Sequence, residues 1–548
     1  MTCFVLSPSH KPRMNRRVAQ ECQSAGVARV FSRSTPHTDS CNRLLTLAGF
    51  RASDCVGMPP DAASWSRWIP SVPTDGTDSF VLVNAHVPLC TVSGVDGEGL
   101  QADHDGLVRV DIVIRDGKVL DISPAGTRDP PSDVRVVDAD GGMCWPTFSD
   151  IHTHIDKGHT CERSRNHSGS LAGADDSCAK DEAFWSQEDV RRRMEFSLKS
   201  AYAHGTSAVR THIMSGPKQA AIAWPVFHEL REKWRGKIEL QGVSLSILRF
   251  FRDEDAAAEL ADTVKANGGI LGAAVSCTDR GGHADDIYTT CGEELPALLD
   301  VIFRLANERG LDLDFHVDEN GNEVSKGLLY IAEAATRNDF KGKIVCGHCC
   351  SLAAQAPAEL ARIIAAAHRS NICVVSLPIV NQWLQNRDVR GLCTPTKRGV
   401  TTLKELDDAG VQVCLASDNT RDQFYGYGDL DMLEIFRESC RIGHLDRPIA
   451  NWPMAVTSRP ATVMGLGEHH GRVAVGGPAN LVVFRGRCYS ELLSRPQLDR
   501  LVLRDGRPLM DDVPDYRELD VGGEPGANKR RKSLDMDAGA GKRGKGGA

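Results

Sequence analysis

Met143-Cys-Trp-Pro-Thr-Phe-Ser-Asp-Ile-His-Thr-His154 is the stretch of this 548-residue chain that decides the fold. Its apolar first part predicts a buried strand over Met143–Asp150, and a pair of histidines follows at the carboxyl end of that strand. Residues i and i+2 of a strand point to the same face, so His152 and His154 present their imidazoles side by side. Neutral imidazole binds zinc, iron and other divalent metals, and the pair therefore predicts part of a metal site.

The chain after this pair alternates apolar runs with helix-like stretches. The further predicted strands are Thr206–Thr211, Ile238–Val243, Gly269–Val275, Leu311–Phe315, Lys343–Gly347, Ile372–Leu377 and Val411–Ser417. Helices are predicted between most of them, for example at Gln187–His204, Pro296–Arg309 and Ala354–His368. Strands that alternate with helices pair in parallel, and about eight such units predict an α/β fold of the TIM type, a (β/α)₈ barrel.

Polar residues end several of the predicted strands. The second, fifth, sixth and eighth strands end at His212, His316, His348 and Asp418. Because the active site of such a barrel lies at the carboxyl ends of its strands, these side chains are expected to converge on one rim. Three imidazoles and one carboxylate can hold a divalent ion, which lowers the pKa of a bound water. Satisfied core histidines at unrelated places are the alternative, and they do not account for a common rim.

Three residues at this rim have the chemistry of proton transfer. Glu319, three residues after His316, can carry a proton to a leaving nitrogen. His348 can polarise a carbonyl group or orient the attacking water, and Asp418 can bind metal and accept the proton of the water. A structural role stays open for Glu319, since a carboxylate in the first turn of a helix is favoured by the helix dipole.

The stretch Phe148-Ser-Asp-Ile-His-Thr-His-Ile-Asp-Lys157 resembles the first-strand motif of the amidohydrolase superfamily. Later stretches resemble, in the same order, motifs of its cytosine deaminase-like branch: Gly205–His212, Asp314–Glu319, Gly347-His348, Ser376–Gln385 and Ser417–Tyr425. The resemblance covers roughly residues 78 to 515. The ordered set is far more specific than any single motif.

This resemblance implies a function and a ligand set. The implied ligands of one divalent metal ion, zinc or iron, are His152, His154, His316 and Asp418. Glu319 is implied as the proton shuttle, with His348 and Asp418 acting on the water and on the tetrahedral intermediate. The implied reaction is the hydrolytic removal of an amino group from a cytosine-like amino-heterocycle, with release of ammonia.

Some positions depart from the pattern of cytosine deaminases. Ile247 stands where that branch has a Gln that reads the pyrimidine edge, and Asn419 stands where an acidic residue usually follows the metal aspartate. Phe424 replaces a Trp and can cover an aromatic ring, although core packing also stays open for it. These side chains present different donors and acceptors, which leaves another ring open as substrate: a triazine, a pterin, a creatinine-type ring or a substituted amine. A non-catalytic scaffold is the alternative of another class.

Lys157 follows the histidine pair by three residues. Binuclear relatives of the superfamily carry a bridging, carboxylated lysine on the fourth strand, and no lysine ends the predicted fourth strand Gly269–Val275 here. We therefore expect a mononuclear site, in which Lys157 contacts the substrate or forms an ion pair.

Short strands are predicted on both sides of the barrel. They are Ser79–Ala85, Val108–Ile114, Lys118–Ile122 and Arg135–Asp138 before it, and Gly476–Phe484 and Arg500–Gly506 after it. Asp116-Gly117 lies between two of these runs and predicts a hairpin turn. Amidohydrolases commonly form a small β-sandwich from the two flanks of the barrel. We therefore expect a sandwich of residues 78–145 plus 466–515 around a barrel of residues 146–465.

The two ends differ in composition from the rest. Residues 1–77 predict a disordered extension, and the five Arg against one acid in Met1–Arg33 leave an organelle transit peptide open. Residues 516–548 predict a disordered Gly-rich tail, whose basic runs Lys529–Lys532 and Lys542–Lys545 fit a solvated tail better than a nuclear-import or nucleic-acid signal.

Composition predicts a cytoplasmic enzyme. The chain has 65 Lys and Arg against 73 Asp and Glu, a net charge of −8, which does not favour nucleic acid as a partner. No apolar run approaches the roughly 20 residues of a membrane helix. Its 18 cysteines are scattered over a long chain, which is typical of reduced intracellular thiols. The expected partners are a small amino-heterocycle and water, and a homo-oligomer stays open.

Overall fold

The computed structural model describes residues 64–69, 71–95, 99–275, 294–388, 391–397 and 399–520. The predictions made for residues 1–63 and for the basic runs after residue 520 lie outside the described residues. Within the predicted N-terminal extension, the side chains of Trp65, Ile69 and Val72 are buried. At the other end, Tyr516–Leu519 forms a short 3₁₀ helix. Apolar side chains are therefore buried near both ends of the described residues.

Eight strands in the described residues pair in parallel with their neighbours. The first three form one sheet: Phe148–Thr153, Thr206–Met214 and Glu239–Leu245. The next five form a second sheet: Leu271–Ala274, Leu313–Val317, Ile344–His348, Ile372–Ser376 and Gln412–Leu415. All eight lie within a few residues of their predicted positions.

Isolated parallel bridges join the two sheets at both of their edges. Val243 pairs with Ile270 and Ile247 with Ala274, between the third and fourth strands. Thr153 pairs with Asp418, between the first strand and the chain that leaves the eighth. The first and eighth strands therefore approach each other at their carboxyl ends, where the predicted metal ligands lie.

Helices follow the parallel strands, as the sequence predicts. The α-helices of the described residues are Leu171–Asp181, Gln187–Ala203, Pro217–Lys233, Glu254–Ala266, Leu295–Arg309, Gly327–Arg337, Pro357–Arg369, Pro378–Leu384, Leu403–Asp408, Met432–Gly443, Ser458–Val463 and Tyr489–Ser494. Local residues start them: the hydroxyl of Ser186 accepts from the amide of Asp189, and proline occupies the first turn at Pro217 and Pro357. Their apolar faces share one core with the sheets.

Two further four-stranded sheets come from the flanks. One pairs Lys118–Pro124, Leu107–Arg115, Phe80–Pro88 and Arg135–Asp138, and the other pairs Arg507–Pro508, Leu501–Arg504, Leu481–Val483 and Cys144–Pro146. A smaller parallel pair joins Val92–Ser93 to Val473–Ala474. Apolar side chains of both four-stranded sheets belong to one buried cluster. The predicted hairpin is confirmed, since Asp116 and Gly117 both have positive φ, 51° and 73°, as a two-residue type I′ turn requires.

The predicted strand Met143–Asp150 is wrong in one respect, because it comprises parts of two strands. Cys144–Pro146 pairs antiparallel with Leu481–Val483, and a new strand starts at Phe148 in the parallel sheet. The break follows Pro146, which has no amide hydrogen to continue a ladder. The amide of Thr147 donates to the carbonyl of Asn480, and the amide of Phe148 already donates to Gly205.

Among the described helices, none combines the length and the apolar character needed to cross a bilayer.

Candidate active site

The predicted ligands meet at the carboxyl ends of the first, fifth and eighth strands. Nε2 of His154 lies 3.1 Å from Nε2 of His316 and 3.2 Å from Oδ1 of Asp418. Nε2 of His152 lies 3.6 Å from the same carboxylate oxygen. His152, His154 and Asp418 therefore offer three ligand atoms that are close enough to share one metal ion.

The chemistry of this donor set fits a divalent cation. Burial and the neighbouring imidazoles lower the pKa of His152 and of His316 well below its usual value, so both rings are neutral, the form that binds metal. Both carboxylate oxygens of Asp418 and Nε2 of His152 are buried without a hydrogen-bond partner among the described residues. Unpaired buried acceptors are costly, and a bound cation satisfies all three.

Neighbouring residues hold His152 in place. Nε2 of His212 lies 3.1 Å from Nδ1 of His152, which leaves Nε2 of His152 as the nitrogen directed at Asp418. Behind His212, Arg210 donates to Asp314 across 2.9 Å. Glycine is required at position 347, because a Cβ there would lie 2.8 Å from Cε1 of His152. His212 thus contacts the ring nitrogen of His152 that faces away from the proposed metal. Metal-binding histidines commonly have such a hydrogen-bond partner on their second ring nitrogen.

The backbone conformation of Asp418 orients its side chain. Its φ is 65°, in the left-handed region, and its amide donates to the carbonyl of His152 across 2.8 Å. The amide of Ser417 donates to the buried carboxylate of Asp150. The turn after the eighth strand is therefore tied to the first strand, next to the histidine pair.

Glu319 and His348 lie together beside the ligands. Oε1 of Glu319 is 3.7 Å from Nδ1 of His348. Burial raises the pKa of Glu319 to about 7 against the opposing charge of Lys157, so the group can both take up and release a proton near neutral pH. The next helix starts only at Gly327, which removes the alternative of a first-turn carboxylate for Glu319.

One cavity of about 320 Å³ opens onto these groups. His154, His316, Asp418, Glu319 and His348 all line it, and so do the four residues predicted to contact substrate: Lys157, Ile247, Asn419 and Phe424. Of the histidines expected at this rim, His152 and His212 do not line the cavity, since both lie fully buried behind the others. The cavity therefore brings the predicted chemistry and the predicted recognition residues to one place.

Lys157 and Phe424 form one wall of the cavity. Nζ of Lys157 lies 3.7 Å above the centre of the Phe424 ring, a cation–π contact. Nearby carboxylates, with Asp422 the strongest, outweigh burial and raise the pKa of Lys157, which keeps it charged. Asn419 donates its amide to Asp422 across 2.7 Å. Phe424 therefore lines the cavity, and Lys157 is a charged group set against its ring.

The structure adds residues that the sequence did not single out. Asn381 contacts both His348 and Glu319. It lies in the stretch Ser376–Gln385 that resembles a family motif, and its polar side chain was the only sequence feature that could have pointed to a place in the site. Asp175 lines the cavity from the helix Leu171–Asp181, and its Oδ2 is buried without a hydrogen-bond partner among the described residues. Nothing in the local sequence around Asp175 signals this position.

The chain is similar to known proteins over most of its length. A sequence profile described as the amidohydrolase family matches residues 228–510, more than half of the chain. The chain is 48% identical over 443 residues to a pterin deaminase of Rhizobium rhizogenes strain K84, which covers 81% of this chain and 96% of that protein. It is 24% identical over 431 residues to N-isopropylammelide isopropyl amidohydrolase of Pseudomonas sp. strain ADP, with 75% and 99% covered.

A solved structure is similar over most of the chain. The crystal structure of 5-methylcytosine deaminase from Klebsiella pneumoniae liganded with 5-fluorocytosine has a TM-score of 0.64 and 24% identity, and the match covers 80% of this chain and 99% of that one. At this identity the likeness concerns the fold. It supports the α/β architecture of the TIM type that the alternating strands and helices predict.

Proposed function

This chain belongs to the amidohydrolase family, and from that premise we propose that it is a metal-dependent deaminase of a pterin-type heterocycle. It is a hydrolase of carbon–nitrogen bonds other than peptide bonds. In the proposed reaction, the oxygen of water adds to the ring carbon that bears the amino group. The carbon–nitrogen bond then breaks, ammonia leaves, and the ring carbon becomes a carbonyl.

The observation that carries the substrate class is the 48% identity to a pterin deaminase over 81% of this chain. It favours the pterin that was expected as an alternative over the cytosine-like ring that was expected first. Ile247 is consistent with a ring other than cytosine, because it lines the cavity with an apolar side chain where the cytosine deaminase-like branch has a Gln. The cavity of about 320 Å³ lies within the range of about 300–1,000 Å³ that is typical of small-ligand sites.

The proposed metal ligands are His152, His154, His316 and Asp418. This set suits zinc as well as iron, because imidazole and carboxylate bind both. Bound there, a divalent ion lowers the pKa of water, so that hydroxide is available near neutral pH.

The side chains of the cavity supply the proton transfers in this proposal. Glu319 takes a proton from the water and delivers it to the leaving nitrogen, for which a pKa of about 7 suits it. His348 stabilises the oxygen that becomes the carbonyl, through a hydrogen bond that strengthens as charge develops. Phe424 covers one face of the ring, and Lys157 and Asn419 complete the wall around it.

We also infer the domain organisation from these sheets. Bridges at both edges of the two parallel sheets support a closed (β/α)₈ barrel over residues 146–465. The apolar cluster shared by the two flanking sheets supports a β-sandwich of residues 78–145 plus 466–515. The barrel is then inserted into the sandwich, and the cavity lies at the carboxyl ends of the barrel strands.

The test is ammonia release from a panel of amino-heterocycles by enzyme loaded separately with zinc and with ferrous iron. We expect release from pterin, with kcat/KM at least about tenfold above that for cytosine or an aminotriazine. Release from cytosine with none from pterin would overturn the substrate and keep the reaction. No release from any ring, with metal bound, would overturn the deaminase.

A further inference from the structure

The helix Pro378–Leu384 places one amide against two groups of the cavity. Nδ2 of Asn381 lies 2.9 Å from Nδ1 of His348 and 3.4 Å from Oε1 of Glu319. Asn381 is only 1% exposed, so water does not replace either contact. One buried side chain therefore contacts both groups that the proposed reaction uses beside the metal ligands.

Only one orientation of the amide leaves Glu319 ionised. Its NH₂ group has two hydrogens to donate, and both an ionised Glu319 and an unprotonated Nδ1 of His348 accept. The reversed amide would direct its carbonyl oxygen at both groups. It would then need a proton on Glu319 and another on Nδ1 of His348 at the same time.

This contact decides which nitrogen of His348 carries the proton. His348 is 2% exposed and its ring centre lies 5.1 Å from that of His316, surroundings that disfavour a second proton, so the ring is neutral and holds one proton. If Nδ1 accepts from Asn381, the proton is on Nε2. Nε2 is buried with no hydrogen-bond partner among the described residues, and His348 lines the cavity. The free donor is thus available to an oxygen of the substrate.

The residue that follows this helix also holds Glu319, from a second side. The side-chain amide of Gln385 donates to the backbone carbonyl of Glu319. Gln385 comes directly after Leu384, and its backbone amide donates to the carbonyl of Asn381 across 2.9 Å. The carboxyl end of the helix therefore contacts both the backbone and the carboxylate of Glu319.

We propose that Asn381 is the positioning residue that holds His348 as the Nε2–H tautomer and orients Glu319 beside it. His348 is then a hydrogen-bond donor to the reacting oxygen and not a metal ligand. The distinction matters because His152, His316 and His348 also offer ring nitrogens close enough to share an ion. A ring nitrogen that carries a proton cannot bind metal. By keeping the proton on Nε2, Asn381 makes His348 a hydrogen-bond donor, whereas His152 and His316 remain free to bind metal. The catalytic part of this inference rests on the proposed function; the tautomer does not.

The tautomer can be measured on the metal-loaded full-length enzyme by ¹⁵N NMR of protein labelled in histidine, with His348→Gln to assign the signal. We expect the Nε2 of His348 to show the shift of a protonated nitrogen and Nδ1 that of an acceptor. In Asn381→Asp, the carboxylate accepts from the ring, and the proton is expected to move to Nδ1. A wild-type enzyme with the proton on Nδ1, or with Nε2 at the shift of a metal ligand, would overturn the proposal.

Kinetics test the catalytic consequence on whichever ring the enzyme deaminates. We expect Asn381→Asp to lower kcat by about 10²-fold or more, as for other lost donors to a reacting oxygen, with KM changed less than about threefold and metal content retained. Asn307→Asp is the matched control, since Asn307 makes a single exposed bond to the carbonyl of Asn338. An Asn381→Asp enzyme with normal kcat would contradict the role.

The two measurements distinguish a failure of the proposed function from a failure of the proposed tautomer. If no pterin or other ring is turned over, the proposed function fails while the wild-type spectrum still tests the tautomer. If Asn381→Asp does not fold, the wild-type spectrum alone remains decisive. Lower thermal stability of the variant with an unchanged tautomer would show a merely structural role and would also overturn the proposal.

Discussion

His348 and Asp418 both occupy the left-handed region of backbone space, with φ of 71° and 65°. Such a conformation costs a non-glycine residue on the order of 1–3 kcal/mol, and it persists only where the surroundings hold it. Both residues stand at the carboxyl end of a parallel strand, and both line the cavity. The strain is therefore located where both side chains line the cavity.

Removing the acid–base group without changing its shape tests the role of Glu319. We expect Glu319→Gln to lower kcat by about 10²–10⁴-fold, because the amide can neither take up nor release the proton. The metal content should stay at the wild-type level, since Glu319 is not among the proposed ligands. Ammonia release and metal analysis measure both. Glu323→Gln, at an exposed position of the same loop, is the control; equal loss in both variants, or full activity of Glu319→Gln, would contradict the role.

Asp175 lines the cavity, where Lys157 and Glu319 are close enough to influence its charge. Burial raises its pKa to about 8, so at neutral pH the carboxyl is protonated and can both donate and accept. We expect Asp175→Ala to lower kcat/KM for the best substrate by up to about tenfold, the value of one hydrogen bond, mainly through KM. Asp176→Ala changes its exposed neighbour and should leave kcat/KM unaltered. Unchanged kinetics of Asp175→Ala would exclude a contact with substrate.

At the scale of elements, the periodicity of the sequence predicted most of the fold. The eight parallel strands and the hairpin at Asp116-Gly117 lie close to the apolar runs and turn residues that predicted them. Buried strands select apolar residues, and the positive φ of a tight turn selects residues such as Asp and Gly. Periodicity does not say which neighbour a strand joins. Cys144–Pro146 was therefore assigned to the parallel sheet, although it pairs with Leu481–Val483.

The candidate site was predictable where residue type carries the chemistry. Histidines and acids at strand ends stood out, and the structure brings them together. Asn381 and Asp175 did not stand out, because an amide or a carboxyl on a helix is ordinary until its neighbours are known. Asn381 contacts Glu319, which follows the fifth strand, and His348, which ends the sixth, and only the folded chain places these next to the helix Pro378–Leu384.

The helix Gln187–Ala203 is tied to the loop that follows the histidine pair. Asp189 binds Arg163 across 2.7 Å and Arg193 across 2.9 Å, and Arg193 in turn donates to the backbone carbonyl of Asp156. Burial disfavours the charged form of Asp189. The two arginines outweigh this effect and lower the pKa of Asp189 from 3.8 to about 2.

This shift predicts how stability depends on pH. A lowered pKa contributes stability above about pH 4, and the contribution is lost as the pH falls toward 2, where the folded state also takes up the proton. Its size is on the order of 2 kcal/mol. Denaturant unfolding of wild type and Asp189→Asn should show a gap in the free energy of unfolding that is wide at pH 6 and narrower at pH 3. A gap that is equal at both values would contradict the assignment.

At the scale of the whole molecule, the proposed metal ties distant parts of the chain. His152, His316 and Asp418 come from the first, fifth and eighth parallel strands, so one ion would connect the two edges of the parallel sheets. The unpaired oxygens of Asp418 are buried in this centre, and the folded chain is the state that gathers the ligands. Metal affinity therefore adds to the stability of the fold.

Removal of the metal should thus lower both activity and stability. A chelator should abolish ammonia release and lower Tm, because a ligand at about 1,000 times its Kd stabilises the folded state by about 4 kcal/mol. Zinc or ferrous iron added back should restore both. Asp418→Asn, which loses a proposed ligand, should show a Tm that responds much less to the chelator. Undiminished activity after complete metal removal would contradict the metal centre.

The most direct test of the central claim is hydrolysis of pterin in ¹⁸O-labelled water, with metal-loaded and chelated enzyme side by side. The metal-loaded enzyme is expected to release one ammonia for each pterin consumed and to leave one ¹⁸O atom in the new ring carbonyl. The chelated enzyme is expected to do neither. Ammonia without label in the product, or no reaction of pterin with the metal bound, would contradict a metal-dependent hydrolytic deaminase of this ring.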